Sequence, residues 1–300
     1  MLHNPSLDKT PAPRLMIGRA ELALIGITFL WGATFLIVKN AMTVTGPLFF
    51  VGLRFATATL ATGILAAPVL RGVTRREWVA GSAIGCGIFI GYTLQTWGLQ
   101  TIPSSTSAFI TAVYVPLVPL FQWAILRRRP HLMSWIGVAL AFGGLLLVAG
   151  PQQGMALGKG ELLTLVSTVA IAVEIILISM WAREVDVLRV TVIQLGVTSL
   201  LAFAFMVPAG EAMPSFSWLL ALSACGLGLM SALIQLVMNW AQRTVSPTRA
   251  TVIYAGEPVW AGVIGRLAGE RLPATALLGG LLIVAGVVVS ELRIGRKSRD

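Results

Sequence analysis

Of 300 residues, 56% are hydrophobic and 11% are charged, and the mean hydropathy is +0.85, which leaves too little polar surface to cover a globule in water. The formal net charge of +10 is spread along the chain in short groups rather than gathered into a basic domain, so no nucleic-acid partner is expected. Cys86 and Cys225, both in apolar runs, make no disulfide framework and read as buried packing residues.

The segment before Glu21 is polar and Pro-rich. The apolar run that follows, near Ala20 to Val38, is too long for a signal peptide and lacks a small-residue cleavage site, so it reads as a retained helix. Further runs of roughly 18 to 22 residues, each about long enough to cross a ~30 Å hydrocarbon core, lie near Leu48 to Ala67, Trp78 to Gly98, Ser105 to Leu126, Met133 to Ala149, Glu161 to Trp181, Val190 to Val207, Trp218 to Asn239, Thr248 to Leu267 and Pro273 to Ser290. The expected fold class is an all-α integral membrane protein with about ten transmembrane helices. Trp78, Trp97, Trp218 and Trp240 stand at span ends as interface anchors.

Lys and Arg are retained in cytoplasmic loops. With the N-terminus inside, the inner segments hold Lys9, Arg14, Arg19, Arg71, Arg75, Arg76, Arg127, Arg128, Arg129, Arg183, Arg189, Arg243, Arg249, Arg293, Arg296, Lys297 and Arg299. The outer segments hold only Lys39, Lys159, Arg266 and Arg271. Both termini are therefore predicted to be cytoplasmic.

The chain also repeats itself. Gly18-Arg19-Ala20-Glu21-Leu22 returns as Gly158-Lys159-Gly160-Glu161-Leu162, Trp78 has its partner in Trp218, and Pro116, Arg129 and Gly137 pair with Pro258, Arg271 and Gly279. Residues 1–150 and 151–300 thus read as two five-helix repeats. Because five is odd, the second must enter the membrane inverted, and two halves so related can exchange conformations, one side opening as the other closes.

The stretch Thr248 to Leu272, with Glu257-Pro258 inside a helix and Gly269-Glu270 at its exit, followed by the Gly-rich Gly279 to Val289, resembles the EamA-type family of the drug/metabolite transporter superfamily. Trp31-Gly32 and Ser105 to Pro116 look like the first-half version. Where many relatives keep a Gly-Glu pair, the first copy has Arg127 to Arg129, a departure that speaks for a topological role of that site. The resemblance implies a bacterial inner-membrane carrier, ten helices around a central cavity, that exports amino acids or related metabolites. Some members act on aromatic amino acids.

A charge at a helix centre costs ~2.5 to 3.5 kcal/mol on insertion scales, so Arg54, Glu174 and Glu257, which sit well inside spans, each need a reason. Glu257, between Gly256 and Pro258, either meets substrate or pairs with Arg54 or with backbone groups freed by the proline. Glu174 corresponds to Thr34 of the first copy, on the helix that carries the coupling carboxylate in small multidrug relatives, and the resemblance suggests a substrate or proton site there. Further cavity candidates are Trp31, Tyr92, Gln95, Thr111, Tyr114, Gln235, Asn239 and Tyr254. Tyr92 with Gln95, Thr111 with Tyr114, and Tyr254 with Glu257 are each three apart and expected to share a helix face. Pro116 and Pro119 should bend the fourth span and Pro258 the ninth. Gly81, Gly85, Gly87, Gly91, Gly226 and Gly228 are expected at close helix contacts.

Enzymatic classes lack their parts. His3 and His131 lie outside the spans, so no membrane Ser-His pair forms, no mid-membrane lysine is available for a Schiff base, and no GxxxxGK[ST] string occurs. No cofactor or metal is expected. The expectation is a secondary carrier for small amphipathic metabolites, amino acids first, with a multidrug or cationic-compound exporter and a channel-like facilitator as alternatives. Its partners would be a small-molecule substrate and the lipid bilayer; the oligomeric state is open, a monomer being compatible with it.

Overall fold

The structure, a computed structural model, describes residues 18–127, 132–149 and 157–291. His3, His131, Lys9, Arg14, Arg128, Arg129 and the cations after Glu291 lie outside the described residues. The described part is helical. In chain order it comprises α1 (Arg19–Ala41), α2 (Pro47–Ala66), α3 (Arg75–Leu99), α4 (Ser104–Thr111), α5 (Tyr114–Leu126), α6 (Leu132–Ala149), α7 (Lys159–Trp181), α8 (Val187–Met206), α9 (Trp218–Ala241), α10 (Pro247–Tyr254), α11 (Glu257–Leu267) and α12 (Ala274–Glu291), with a 3-10 turn at Leu70–Gly72. Seven segments are long and apolar enough to cross a membrane: α1, α2, α3, the α4–α5 stretch, α7, α8 and α9. Shorter apolar stretches occupy Trp135–Gly144 and Ala274–Gly286.

Local chemistry sets the helix starts. The repeated opening phrase is a repeated cap, because Gly18 and Gly158 are both extended with ψ 173, and Glu21 and Glu161 bring negative charge to the first turn, where the helix dipole favours it. At α3, Thr74 accepts from the Glu77 N–H while Glu77 Oε2 accepts from the Thr74 N–H at 2.7 Å, a capping box. Asp186 caps α8 by accepting from Leu188 and Arg189 N–H.

Two spans carry a short interruption in their helical hydrogen bonding. Pro116 and Pro258 donate no N–H and crowd the carbonyl four residues before them. Each interruption falls just upstream, at Ala112–Val113 between α4 and α5 and at Ala255–Gly256 between α10 and α11. Thr111 and Tyr114 therefore end and begin different helices, as do Tyr254 and Glu257. Ala112, Val113, Ala255 and Gly256 nevertheless keep right-handed helical angles, so each span continues across its interruption.

In lipid there is little hydrophobic drive between helices, and close approach at small residues replaces it. A Cβ on Gly81 or Gly85 of α3 would come within 2.6 Å of Ile193 or of the Gln194 carbonyl of α8, whereas Gly87 and Gly91 face Glu174 and Ile171 of α7. The glycines thus let α3 lie in the angle between α7 and α8. Likewise α9 packs on α1 and α2, α2 lies along α8, α5 meets α7, α11 meets α1, and α6 pairs with α12. Gly228 sits against Arg54 and Thr57 of α2, but Gly226 meets nothing within 4 Å, so it makes no close contact. Cys86 and Cys225 are exposed, contrary to the expected burial, because they fall on the outward faces of α3 and α9. Trp78, Trp218 and Trp240 are exposed at helix ends as expected of anchors. Trp97, however, is half-buried and lines a cavity of about 360 Å³ with Phe89 and Phe205.

Ties between the two halves cluster at both ends of the bundle. At one end Glu211 accepts from Leu48 and Phe49 N–H at the start of α2, and Glu270 accepts from Ser104 and Ser105 N–H at the start of α4. A left-handed turn at Gly269, φ +91, aims Glu270 at that helix end. At the other end Glu77 accepts from the Asp186 N–H and lies 3.5 Å from Arg189, Arg76 pairs with Glu184, and Arg249 pairs with Glu21 at 3.1 Å.

Candidate functional site

Between these two sets of ties the interior is lined by aromatic rings and a few polar groups. Trp31 of α1 meets Tyr254, the last residue of α10, edge to face at 5.7 Å. Tyr114, the first residue of α5, donates its hydroxyl to Glu257 Oε2, at the first position of α11, at 3.4 Å. Gln95 of α3 donates to Thr111 Oγ1, the end of α4, at 3.0 Å. The two helix breaks therefore bring Thr111, Tyr114, Tyr254 and Glu257 to one level of the bundle. Interrupted helices are where a membrane protein can present backbone and side-chain polarity to a cavity.

A second group continues from this level toward the end that carries Arg183, Arg243 and Arg249. Glu174 Oε1 accepts from Gln235 Nε2 at 2.9 Å, Gln235 Oε1 accepts from Gln194 Nε2 at 2.8 Å, and Asn239 donates to Gln194 Oε1 at 3.2 Å and to Thr191 Oγ1 at 3.0 Å. This chain joins α7, α8 and α9. Thr34 is buried but spends its hydroxyl on the Trp31 carbonyl one turn back, so it faces its own helix rather than the others.

Arg54 of α2 corrects one expectation. Among the described residues it pairs with neither Glu257 nor Glu174; its Nε donates to Ser231 Oγ at 2.7 Å, and its guanidinium lies 5.5 Å from the Phe55 ring centre and 5.0 Å from that of Tyr92. Tyr92 in turn packs edge to face on Phe55 and lies within electrostatic range of Arg54, Glu174 and Glu257. Three buried polar atoms of this interior have no partner among the described residues: Arg54 Nη2, Glu174 Oε2 and Glu257 Oε1. All eleven candidates named from the sequence are buried, Gln95 being the most accessible at 9%.

Sequence reasoning missed Thr191 and Gln194, which complete the amide chain, and Ser231, which holds Arg54. The signal was present for α8, since Thr191, Gln194 and Thr198 recur at helical spacing on an otherwise apolar segment.

A bundle of membrane-length helices around a polar, partly unpartnered interior is that of a multi-pass membrane protein. The sequence pattern of the EamA-like transporter family matches residues 18–150 and again 158–292, and the chain belongs to that family. An uncharacterized transporter of Archaeoglobus fulgidus is 27% identical over 92% of this chain and 86% of its own. The uncharacterized inner membrane transporter YedA of Escherichia coli (strain K12) is 28% identical over 89% of each chain. A solved crystal structure, 22% identical, superimposes with a TM-score of 0.67 over 91% of this chain and 98% of that one, and shares the fold.

Proposed function

We propose that the protein is a secondary carrier exporting small amphipathic metabolites, amino acids foremost and those with apolar or aromatic bodies preferred, by alternating access. Its ten spans form two inverted five-helix repeats, residues 1–150 and 151–300, in a bacterial inner membrane with both termini cytoplasmic. The support is an exchange symmetry in the packing. Swapping α1 with α7, α2 with α8, α3 with α9, α4–α5 with α10–α11 and α6 with α12 maps each principal contact onto another: α3 on α7 and α8 becomes α9 on α1 and α2, α5 on α7 becomes α11 on α1, while α2–α8 and α6–α12 map onto themselves. Halves in such mutually equivalent contact can exchange conformations, and the ties at the two ends are the contacts that would alternate. For the orientation, the described cations at the α1 start, with Arg71, Arg75, Arg76, Arg183, Arg189, Arg243 and Arg249, share one end of the bundle, opposite Lys39, Lys159, Arg266 and Arg271.

The lining of Trp31, Tyr92, Tyr114 and Tyr254 supports flat apolar substrates, and Gln95, Gln235 and Asn239 supply neutral hydrogen bonds. Two acids, Glu174 and Glu257, against one arginine, Arg54, buried in the middle of the spans favour, as the second reading, an exporter of cationic compounds. Counterflow in proteoliposomes separates the possibilities. A carrier of amino acids gives saturable uptake of labelled phenylalanine stimulated by internal phenylalanine. Stimulation only by an aromatic cation would select the second reading, and flux without saturation or counter-stimulation would select a channel.

A further inference from the structure

The helices α11 and α12 follow each other in the chain yet scarcely touch, whereas their counterparts α5 and α6 pack together. The gap between them is a cavity of about 710 Å³. Val263 and Leu267 of α11 and Leu277 and Leu281 of α12 are its exposed walls, and Phe109 of α4 is its floor. Two glycines make the room. A Cβ at Gly262 or Gly280 would stand 3.4 or 2.8 Å from the Phe109 ring, and at the spacing that pairs Pro116 with Pro258 the first copy has Leu120 and Val138 in their places. Along α11 the lining runs from buried Pro258 to Leu267 at the mouth. At ~1.5 Å per residue that is about 14 Å, close to half of a ~30 Å hydrocarbon core. Arg266 stands at this mouth, exposed, and among the described residues it makes no ion pair. Glu270 lines the same mouth, but Ser104 and Ser105 take both of its carboxylate oxygens, which leaves the guanidinium to receive another anion. Two oxygens of a phosphate match its planar donor edge.

We infer that this gap holds one acyl chain of an anionic phospholipid, with the lipid phosphate on Arg266. The inference requires α11 and α12 to cross the bilayer as proposed above, and it does not require that anything be transported. A headgroup with its own ammonium group would bring a second cation to Arg266 and gain less. A polar solute would find no hydrogen-bond partner on the walls below the mouth.

The test uses phosphatidylglycerol with a photoactivatable group in its acyl chain, cross-linked to the full chain in proteoliposomes and mapped by peptide mass spectrometry, with unlabelled phosphatidylglycerol or phosphatidylcholine as competitor. Adducts are expected within residues 259–267 and 277–284. Phosphatidylglycerol should compete about fivefold better than phosphatidylcholine, the worth of one basic residue near a membrane surface. Arg266→Gln removes that difference, whereas Lys159→Gln, at an exposed cation of the same end, keeps it. Gly262→Leu, which fills the gap as the first copy does, and Leu281→Trp, on an exposed wall, each abolish the adducts at those residues. The two act from different helices, so misfolding of one leaves the other to decide. Adducts spread evenly over the outward helix faces, or an undiminished preference in Arg266→Gln, overturn the inference. Displacement of the lipid by phenylalanine would make the gap a passage for substrate and overturn it equally. Adducts and preference as expected, without saturable counterflow, would leave the lipid site standing while the carrier proposal fails.

Discussion

Tyr114 and Glu257 open the second halves of the two interrupted spans, and the Tyr114 hydroxyl reaches the Glu257 carboxylate across the centre of the bundle. At 3.4 Å this is a weak bond, easily surrendered to a ligand. Glu174, by contrast, is fixed by Gln235 at 2.9 Å. Glu257→Gln is therefore expected to lower counterflow at least tenfold by removing the freer ligand. Glu174→Gln should have the smaller effect on rate and flatten the pH dependence of transport. Counterflow measured from about pH 6 to 8, around the range in which a buried carboxylate can titrate, checks both, and wild-type behaviour in both variants would leave the acids structural.

Gly143 and Gly144 are neighbours on α6 with opposite surroundings. A Cβ at Gly144 would stand 2.5 Å from the Gly279 carbonyl and 2.9 Å from the Ile283 nitrogen of α12, both backbone atoms that cannot step aside, whereas one at Gly143 meets nothing within 4 Å. Gly144→Ala is expected to destabilise by about 1–3 kcal/mol, the usual cost of overpacking. Gly143→Ala should be neutral or stabilise by up to about 1 kcal/mol, since alanine is the better helix former. Thermal melting in detergent distinguishes the two, and equal shifts would mean that α6 and α12 do not pack through this face.

The apolar runs, the repeated Gly-x-x-Glu-Leu phrase and the three intramembrane charges made the helical membrane architecture readable in the sequence, because in lipid the backbone has few options other than a helix. Helix pairing was not readable. Whether Arg54 meets Glu257 or Ser231 depends on the rotation and tilt of α2 against α9, which local pattern does not encode. The helix interruptions were legible in part: Pro116 and Pro258 announced a distortion, whereas its extent, two residues between Thr111 and Tyr114 and two between Tyr254 and Glu257, was not. Cys86 shows the same limit, since an apolar residue in a span faces protein or lipid with equal ease.

The proposed orientation rests on the cations at the two ends of the bundle. Reporters fused beside Arg127 and after Asp300 should both read cytoplasmic, and one at Gln152 should read periplasmic; the latter two positions lie outside the described residues. Cleavage or labelling that places the C-terminus outside would require an odd number of spans and remove the basis for inverted repeats.

Glu270 ties the two halves together at one end of the bundle. It belongs to the turn after α11, yet its carboxylate accepts from the Ser104 N–H at 2.8 Å, the Ser105 N–H at 3.1 Å and the Ser105 hydroxyl, at the start of α4. The far end of α4 is Thr111, which holds Gln95 in the site, so the latch and the site share one short helix. Partial burial raises the carboxyl's pKa, but the bonds from Ser105 and Ser104 outweigh it and hold the group below its ordinary value. A depressed native pKa contributes stability that is complete above the unfolded value of about 4.3 and is lost as pH falls through the native one. Glu270→Gln keeps the shape and removes the charge. It should therefore melt below the wild type by a gap worth about 1 kcal/mol, the low end for a charged hydrogen bond at a partly exposed group. That gap should stay constant from about pH 8 to 6 and close below about pH 4, where the wild-type carboxylate protonates. Melting temperatures of both proteins in detergent across this range test the latch; a gap that persists in acid would show that Glu270 acts by packing alone.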